Sequence, residues 1–349
     1  MKILIIESCE KVIDPKLPSS IVHVKNSEII ANYLGADLVT HQSQIPSVIG
    51  NRYDVIICAY ASPYMKYNAY LDILDVNNDA KMFWLVNDHD IEDNILLRKW
   101  LIKYNKPYHM ICNNPRSGYR HWILNKNMNN KKLNDWIDEW HTVNLNVMIF
   151  DDLLFYKTME TSERANDVVY YGTFRKHRVK DMLDYNNVNY YVSSSKKNHL
   201  KYQAAGIKAK FIEKLQWFDK EPDLIEPVGL RLRDYKYSLY LEDEHTHSNY
   251  AFMANRFYEC VMNNTLLFYD ARCKLVIEKS GYKIDSFQIV KNGDELNEKI
   301  AILAYDEYQT LLKVQQSNFD KIMFEKNKVL ETIEQIINEK KIKKLMEAA

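Results

Sequence analysis

The chain has 349 residues, which exceeds one ordinary hydrophobic core and fits two domains of typical size. Lys plus Arg and Asp plus Glu both total 47, so the formal net charge of zero excludes a uniformly basic protein; any nucleic-acid surface must be local. The sequence contains no run of about 18 apolar residues, the length that predicts a transmembrane helix. We therefore expect no membrane partner.

The N-terminal run Met1–Glu7 becomes acidic too soon for a signal peptide and predicts a buried first strand. The cysteines are odd in number and lack C-x-x-C spacing: Cys9, Cys58, Cys112, Cys260 and Cys273. This pattern favours a reducing cytoplasm over a disulfide framework or a structural zinc site.

The first half of the chain alternates between short apolar runs and helical patterns. The predicted strands are 2–6, 37–40, 54–59, 81–86, 108–112 and 145–150. The predicted helices are 21–33, one within 62–77, and 96–103. Apolar strands that alternate with helices indicate βαβ units and a parallel sheet.

A polar stretch at 160–166 marks a domain boundary, after which the alternation resumes. Strands are predicted at 168–171, 189–192, 208–212, 237–241, 265–269 and 286–290, the last as a strand or a turn. Helices are predicted at 176–183, 255–262 and from 294 to the end. We therefore expect an α/β protein with two Rossmann-like domains, 1–163 and 164–318, facing a central cleft. A long C-terminal helix is predicted at 319–349 and is a candidate to pack back on the first domain.

A glycine-to-arginine turn, Gly172-Thr173-Phe174-Arg175, follows the strand at 168–171. A strand, a turn and a helix N-terminus flanked by arginines form a phosphate site in many α/β proteins. Arg175 and Arg178 lie three positions apart, so on a helix they share a face. The alternative is an ordinary strand–helix junction with solvated arginines. A single glycine does not match G-x-G-x-x-G, which argues against NAD or FAD.

A second pair, Arg256 and Glu259, lies three residues apart on the predicted helix 255–262. Such a pair suits a nucleotide, with the arginine on the diphosphate and the glutamate on the ribose hydroxyls. The alternative is an intrahelical ion pair that contributes about 0.2–0.5 kcal/mol.

Asp88 follows the buried strand 81–86, where ligands of open α/β sheets bind. A partly desolvated carboxylate there can act as a general base toward an attacking hydroxyl. Asp88 also suits a helix N-cap. Together with Asp90 it reads as D-x-D, a motif that binds a divalent metal ion such as Mg²⁺ or Mn²⁺.

A basic segment with interleaved aromatic residues spans 116–132. Its basic side chains could bind the phosphates of a nucleic acid, and its aromatic rings could stack on or near the bases. The candidate acceptor residues are Arg116, Tyr119, Arg120, Trp122 and Lys126. The alternative is a solvated surface loop.

At four places the sequence resembles the phage DNA β-glucosyltransferases, which transfer glucose from UDP-glucose to hydroxymethylated cytosine in duplex DNA. These are Pro18-Ser19-Ser20, Leu85-Val86-Asn87-Asp88, Tyr171-Gly172-Thr173-Phe174-Arg175 and Arg256-Phe257-Tyr258-Glu259. Their order and approximate positions also agree with the family, and so does the chain length.

The resemblance implies a GT-B fold in which the first domain binds double-stranded DNA and the second binds the UDP-sugar donor. It implies Asp88 as the general base of an inverting transfer in the cytoplasm, that of the host cell if the gene is phage-encoded. The implied donor-binding residues are Ser20, Gly172, Thr173, Arg175, Arg178, Arg256 and Glu259.

Two departures from the family stand out. Ile21 occupies the position of a family glutamate that helps to hold the sugar, so another hexose or a pentose remains an alternative to glucose. The second arginine of the turn, Arg178, comes slightly earlier than in the family. The acceptor remains open between DNA and a surface glycan, a protein or a small molecule. A non-catalytic nucleotide-binding module is a further alternative.

Overall fold

The computed structural model describes residues 1–6, 18–39, 42–58, 68–86, 109–112, 135, 141–145, 147, 164–172, 175–192, 196–211, 232–242 and 252–339. The chain divides into two compact units. Unit 1 is Met1–Asp14, Val22–Ile149 and Glu325–Ala349, and unit 2 is Pro15–Ile21 and Phe150–Phe324. No helix in the described ranges is long and apolar enough to cross a membrane.

Unit 1 contains a parallel sheet of six strands in the order β2-β1-β3-β4-β5-β6. The strands are β1 Ile3–Ile6, β2 Asp37–Val39, β3 Val55–Cys58, β4 Lys81–Val86, β5 His109–Cys112 and β6 His141–Thr142. Every residue of β1 and β3 is buried, which explains their uninterrupted apolar sequences. Helix α1 is Pro18–Leu34 and helix α2 is Asn68–Val76. Gly35 follows α1 with φ of 62°, the left-handed conformation that often ends a helix.

Unit 2 contains a second parallel sheet of six strands, in the order β12-β11-β10-β7-β8-β9. Its strands are β7 Ala165–Gly172, β8 Asn189–Val192, β9 Ala209–Phe211, β10 Tyr235–Tyr240, β11 Leu266–Asp270 and β12 Ile289–Val290. The strands that follow β7, β8 and β9, extend the sheet on one side, and the strands that follow β10, β11 and β12, extend it on the other. The boundary between β7 and β10 is therefore the topological switch point, where open α/β sheets bind their ligands.

Seven further helices follow β7 in the described part of the chain. They are α3 Val179–Leu183, α4 Lys196–Ala204, α5 Asn255–Met262, α6 Lys274–Ser280, α7 Gly293–Ile302, α8 Tyr305–Gln316 and α9 Phe319–Asn338. Within unit 1, the Lys81 side chain donates to the backbone oxygen of Glu339 at 2.9 Å, just past the end of α9. The predicted domain boundaries at 163/164 and 318/319 stay predictions, and 148–163 lies outside the described residues.

The predicted parallel α/β architecture is confirmed, with two local corrections. The strand predicted at 145–150 is wrong at Leu145 and Val147, which are buried in 3₁₀ geometry, and residues 146 and 148–150 lie outside the described residues. The neighbouring sheet strand is His141–Thr142. An apolar run in the sequence predicts that the residues are buried, but it does not by itself distinguish a strand from a buried turn. The helix predicted at 176–183 begins as a 3₁₀ turn, Lys176–Arg178, and becomes α-helical only at Val179.

Candidate functional site

The candidate site lies at the carboxyl ends of β7 and β10. These strands are neighbours, with Val168 opposite Tyr237 and Val169 opposite Ser238. Parallel neighbours end at the same sheet edge, so Gly172 at the end of β7 and Leu241 and Glu242 after β10 lie at that edge. Gly172 therefore lies at the switch point of the second sheet.

Arg256 reaches this edge from the first turn of α5. Its Nη1 donates to Glu242 Oε1 at 2.7 Å, and its Nη2 donates to the backbone oxygen of Tyr171 at 2.6 Å. The guanidinium carbon lies 4.1 Å from the ring centroid of Tyr170, in cation–π geometry. Burial opposes the charge, but the oxygens of Tyr170 and Glu242 outweigh it and raise the pKa of Arg256. Arg256 thus remains a buried cation.

Arg178, at the end of the 3₁₀ turn, meets the same carboxylate. Its Nη2 pairs with Glu242 Oε2, and its Nη1 donates to the Tyr170 hydroxyl at 2.9 Å. Each oxygen of Glu242 therefore holds one arginine. We call Arg178, Glu242 and Arg256 the Arg–Glu–Arg bridge.

Arg175 differs from the two bridge arginines. It precedes the 3₁₀ turn with φ of −126° and ψ of 114°, an extended conformation, and its side chain is exposed. Its guanidinium makes no hydrogen bond or ion pair to any residue that the structure describes. The predicted helix face shared by Arg175 and Arg178 is wrong, because Arg175 precedes the helical geometry. Arg175 is therefore an exposed cation directly before the 3₁₀ turn that carries Arg178.

Glu259 lies one turn beyond Arg256 on α5 and is 7% exposed. Arg256 pairs with Glu242 rather than with Glu259, so the alternative of an intrahelical ion pair is wrong. Burial raises the pKa of Glu259 from 4.5 to about 8. Near neutral pH this carboxyl is largely protonated, and it can both donate and accept hydrogen bonds, as vicinal ribose hydroxyls require.

The raised pKa of Glu259 predicts a pH-dependent stability. Between about pH 4.5 and pH 8 the unfolded chain has lost this proton while the folded chain retains it. The contribution of Glu259 is therefore most favourable below pH 4.5 and is lost as pH rises toward 8, by at most about 1.4 kcal/mol per pH unit. We expect Glu259→Gln, relative to wild type, to gain urea resistance from pH 5 to pH 8 and then level off.

Urea midpoints of both proteins at several pH values measure this effect. Glu278→Gln on α6 is a matched control, because Glu278 is an exposed helix glutamate in the same unit. A constant difference between Glu259→Gln and wild type across the pH range would contradict the account.

The remaining predicted site residues divide into two groups. Gly172 ends β7, and Ser20 lies in the first turn of α1, which begins at Pro18 rather than at the predicted residue 21. Outside the described residues lie Thr173, Asp88, Arg116, Tyr119, Arg120, Trp122 and Lys126. Asp88 follows Val86, the last residue of β4, by two positions.

A metal centre has no ligand set within the described ranges, where no three His, Cys, Asp or Glu side chains come together to hold an ion. Asp88 and Asp90 lie beyond those ranges. The predicted Mg²⁺ or Mn²⁺ therefore stays a prediction that rests on Asp88 and Asp90.

Glu242 is the site residue that sequence reasoning missed. It lies two residues beyond Tyr240, the end of β10, and is 4% exposed. The available signal was its place directly after a predicted strand, the same signal that singled out Asp88. Its partners could not be read from spacing, because Arg178 and Arg256 lie 64 and 14 residues away in the chain.

No protein-family model matches this sequence, and neither does any curated protein sequence. Solved structures do match it. A DNA-modifying β-glucosyltransferase, solved with and without uridine diphosphoglucose, superposes with a TM-score of 0.62 at 14% identity, covering 97% of this chain and 100% of the other. The T4 phage β-glucosyltransferase matches with a TM-score of 0.60 at 14% identity and the same coverage.

A third match is Anabaena HepE in complex with UDP-glucose, with a TM-score of 0.52 at 11% identity, covering 96% of this chain and 100% of the other. The chain has a GT-B glycosyltransferase fold. This fold agrees with the two parallel sheets and with the fold class expected from the sequence. At such low identity the likeness defines the GT-B fold alone, and the activity must be argued from the site.

Proposed function

We propose that this protein is a UDP-sugar-dependent glycosyltransferase whose donor site lies at the carboxyl ends of β7 and β10. The observation that carries the proposal is the meeting of Arg178 and Arg256 on Glu242 at the switch point of a GT-B fold. The exposed Arg175 lies three residues before Arg178, and the buried Glu259 lies one turn beyond Arg256. The HepE structure, described as a complex with UDP-glucose, supports the donor class.

Each donor group has a part of the nucleotide to bind. Arg175 and the bridge arginines suit the diphosphate, and Glu259 suits the ribose. The Gly172-Thr173 turn would bring the backbone close to phosphate oxygens, and Ser20 would contact the donor. Arg256 Nε is buried and lacks a hydrogen-bond partner among the described atoms, which supports a ligand oxygen as its acceptor.

The proposed reaction is a single inverting displacement. Asp88 accepts the proton of an acceptor hydroxyl as the hydroxyl oxygen bonds to the anomeric carbon of the sugar. The bond from that carbon to the diphosphate oxygen breaks on the opposite face, and UDP leaves with the electron pair. The arginines stabilise the negative charge that grows on the departing diphosphate.

For the acceptor we propose a hydroxymethylated pyrimidine in duplex DNA, with glucose as the sugar. The DNA-modifying activity named for one structural neighbour supports this choice. Arg116, Tyr119, Arg120, Trp122 and Lys126 would contact the DNA, and the target base would leave the stack to react.

A non-DNA acceptor is the second candidate, and the formal net charge of zero is the observation that favours it. Salt-sensitive binding to unmodified duplex DNA separates the two acceptor classes, because phosphate contacts release counterions. A non-catalytic nucleotide-binding module would bind UDP-sugar and never consume it.

The exposed Arg175 allows a test of donor binding without a cost in stability. We expect Arg175→Gln to raise the KM for UDP-sugar by about 10- to 100-fold, because a hydrogen bond to a charged group contributes about 1.5–3 kcal/mol. The melting temperature should stay unchanged. Lys176→Gln is the matched control, since Lys176 is an exposed cation one residue later. Equal effects of the two substitutions on KM would show that only general surface charge is at work.

A further inference from the structure

The Arg–Glu–Arg bridge presents an unusual balance of charge for an anion site. The exposed fractions of its side chains are 5% for Glu242, 7% for Arg256 and 14% for Arg178. A carboxylate therefore lies, almost completely buried, between two of the three arginines proposed to bind the diphosphate. A site built only for the tightest anion binding would not place a negative charge there.

The charges of the substrate and the product suggest a reason. The two bridge guanidiniums and the Glu242 carboxylate sum to one positive charge. A UDP-sugar carries two negative charges on its diphosphate diester, while free UDP gains close to one more, because a terminal phosphate ionises with a pKa of about 6. Each added positive charge in a buried site favours UDP more than it favours UDP-sugar.

We propose that Glu242 is a positioning residue that fixes Arg178 and Arg256 and lowers the positive charge of the donor site, so that UDP leaves after transfer. This inference rests on the proposed function, since it assigns the diphosphate of a UDP-sugar to that site. Glu242 acts through the two arginines. It lets the site hold a doubly charged donor without trapping the more highly charged product.

A purely structural role for Glu242 makes a different prediction. If the carboxylate only satisfies two buried arginines, its loss lowers stability but leaves the relative affinities for UDP and UDP-sugar unchanged. The sheet offers a matched control one strand away. Asp270 ends β11, is fully buried and pairs with Arg272 at 2.5 Å. Arg272 also pairs with Asp181 and Asp184, so its network is separate from the Arg–Glu–Arg bridge.

Isothermal titration of the full chain with UDP, UDP-glucose and inorganic pyrophosphate tests the inference. We expect Glu242→Gln to raise the ratio of the UDP-glucose Kd to the UDP Kd at least about tenfold, and to tighten pyrophosphate binding. Asp270→Asn should leave the ratio at its wild-type value. With glutamine the shape and one hydrogen bond remain, so the charge is what changes.

The double variant Glu242→Gln with Arg178→Gln restores a single positive charge, because it removes one of the two arginines that the Glu242 carboxylate had neutralised in part. Its ratio should return to the wild-type value, and this variant serves if Glu242→Gln alone does not fold. An unchanged ratio of the two Kd values in Glu242→Gln, or a raised ratio in the double variant, would overturn the role of Glu242. Binding of UDP and UDP-glucose by wild type would still support the donor site in that case. Failure of wild type to bind either uridine nucleotide would overturn the proposed function itself, and the inference with it.

Discussion

Replacement of Asp88 by Asn is expected to reduce sugar transfer by about 10²–10⁴-fold, the range that general-base catalysis typically contributes. Asparagine matches the size of aspartate but cannot accept the proton of the attacking hydroxyl. UDP binding should persist, because the proposed donor groups lie in unit 2 and Asp88 lies in unit 1. Steady-state transfer and UDP titration on the same preparation measure both quantities.

Asp90→Asn is the matched control for Asp88→Asn. Under the general-base account it leaves transfer within a few-fold of wild type. If Asp88 and Asp90 act together as a metal motif, both variants lose activity, and added Mn²⁺ or Mg²⁺ changes the rate of wild type. Undiminished turnover of Asp88→Asn would remove Asp88 from the mechanism.

Replacement of Arg256 by Leu is expected to cause the largest loss of both stability and donor binding. The substitution leaves Glu242 with one arginine, leaves the Tyr171 carbonyl without its donor and uncovers the ring of Tyr170. Removal of one partner of a buried ion pair typically costs about 3–5 kcal/mol. We expect a clearly lower urea midpoint and no measurable UDP binding at concentrations that saturate wild type.

Two further variants separate stability from binding. Arg256→Lys keeps the charge but cannot reach both Glu242 and Tyr171 with a planar fork, so an intermediate affinity is expected. Arg272→Leu breaks another ion-pair network of unit 2, and it should lower stability while UDP affinity persists. Wild-type UDP affinity in Arg256→Leu would contradict the assignment of Arg256.

Local patterns in the sequence were sufficient to predict the parallel α/β architecture of the described regions. The apolar runs at 3–6 and 55–58 predict buried parallel strands because both faces of such strands are covered. The helix 255–262 was predicted with the bounds that the structure gives it. Gly172 in the sequence predicted the end of the strand at 168–171, and the structure ends β7 at Gly172.

The partners within the site could not be predicted in the same way. Arg256 had a candidate partner three residues away in Glu259, yet it pairs with Glu242 from the neighbouring strand end. Ion pairing follows the sheet order, which places β10 beside β7, and local spacing carries no information on that order. For the same reason the burial of Glu259, and hence its raised pKa, became visible only in the fold.

The most direct test of the account is to measure transfer of labelled sugar from UDP-glucose to duplex DNA that contains hydroxymethylcytosine, with unmodified duplex as control. Digestion to nucleosides and mass measurement then identify the product. The account predicts release of UDP and a hydroxymethylated nucleoside that carries one added hexose, in wild type and not in Asp88→Asn. If wild type neither transfers nor hydrolyses the sugar of UDP-glucose or of any other UDP-sugar, with DNA or with other acceptors, the claim that this protein is a glycosyltransferase is contradicted.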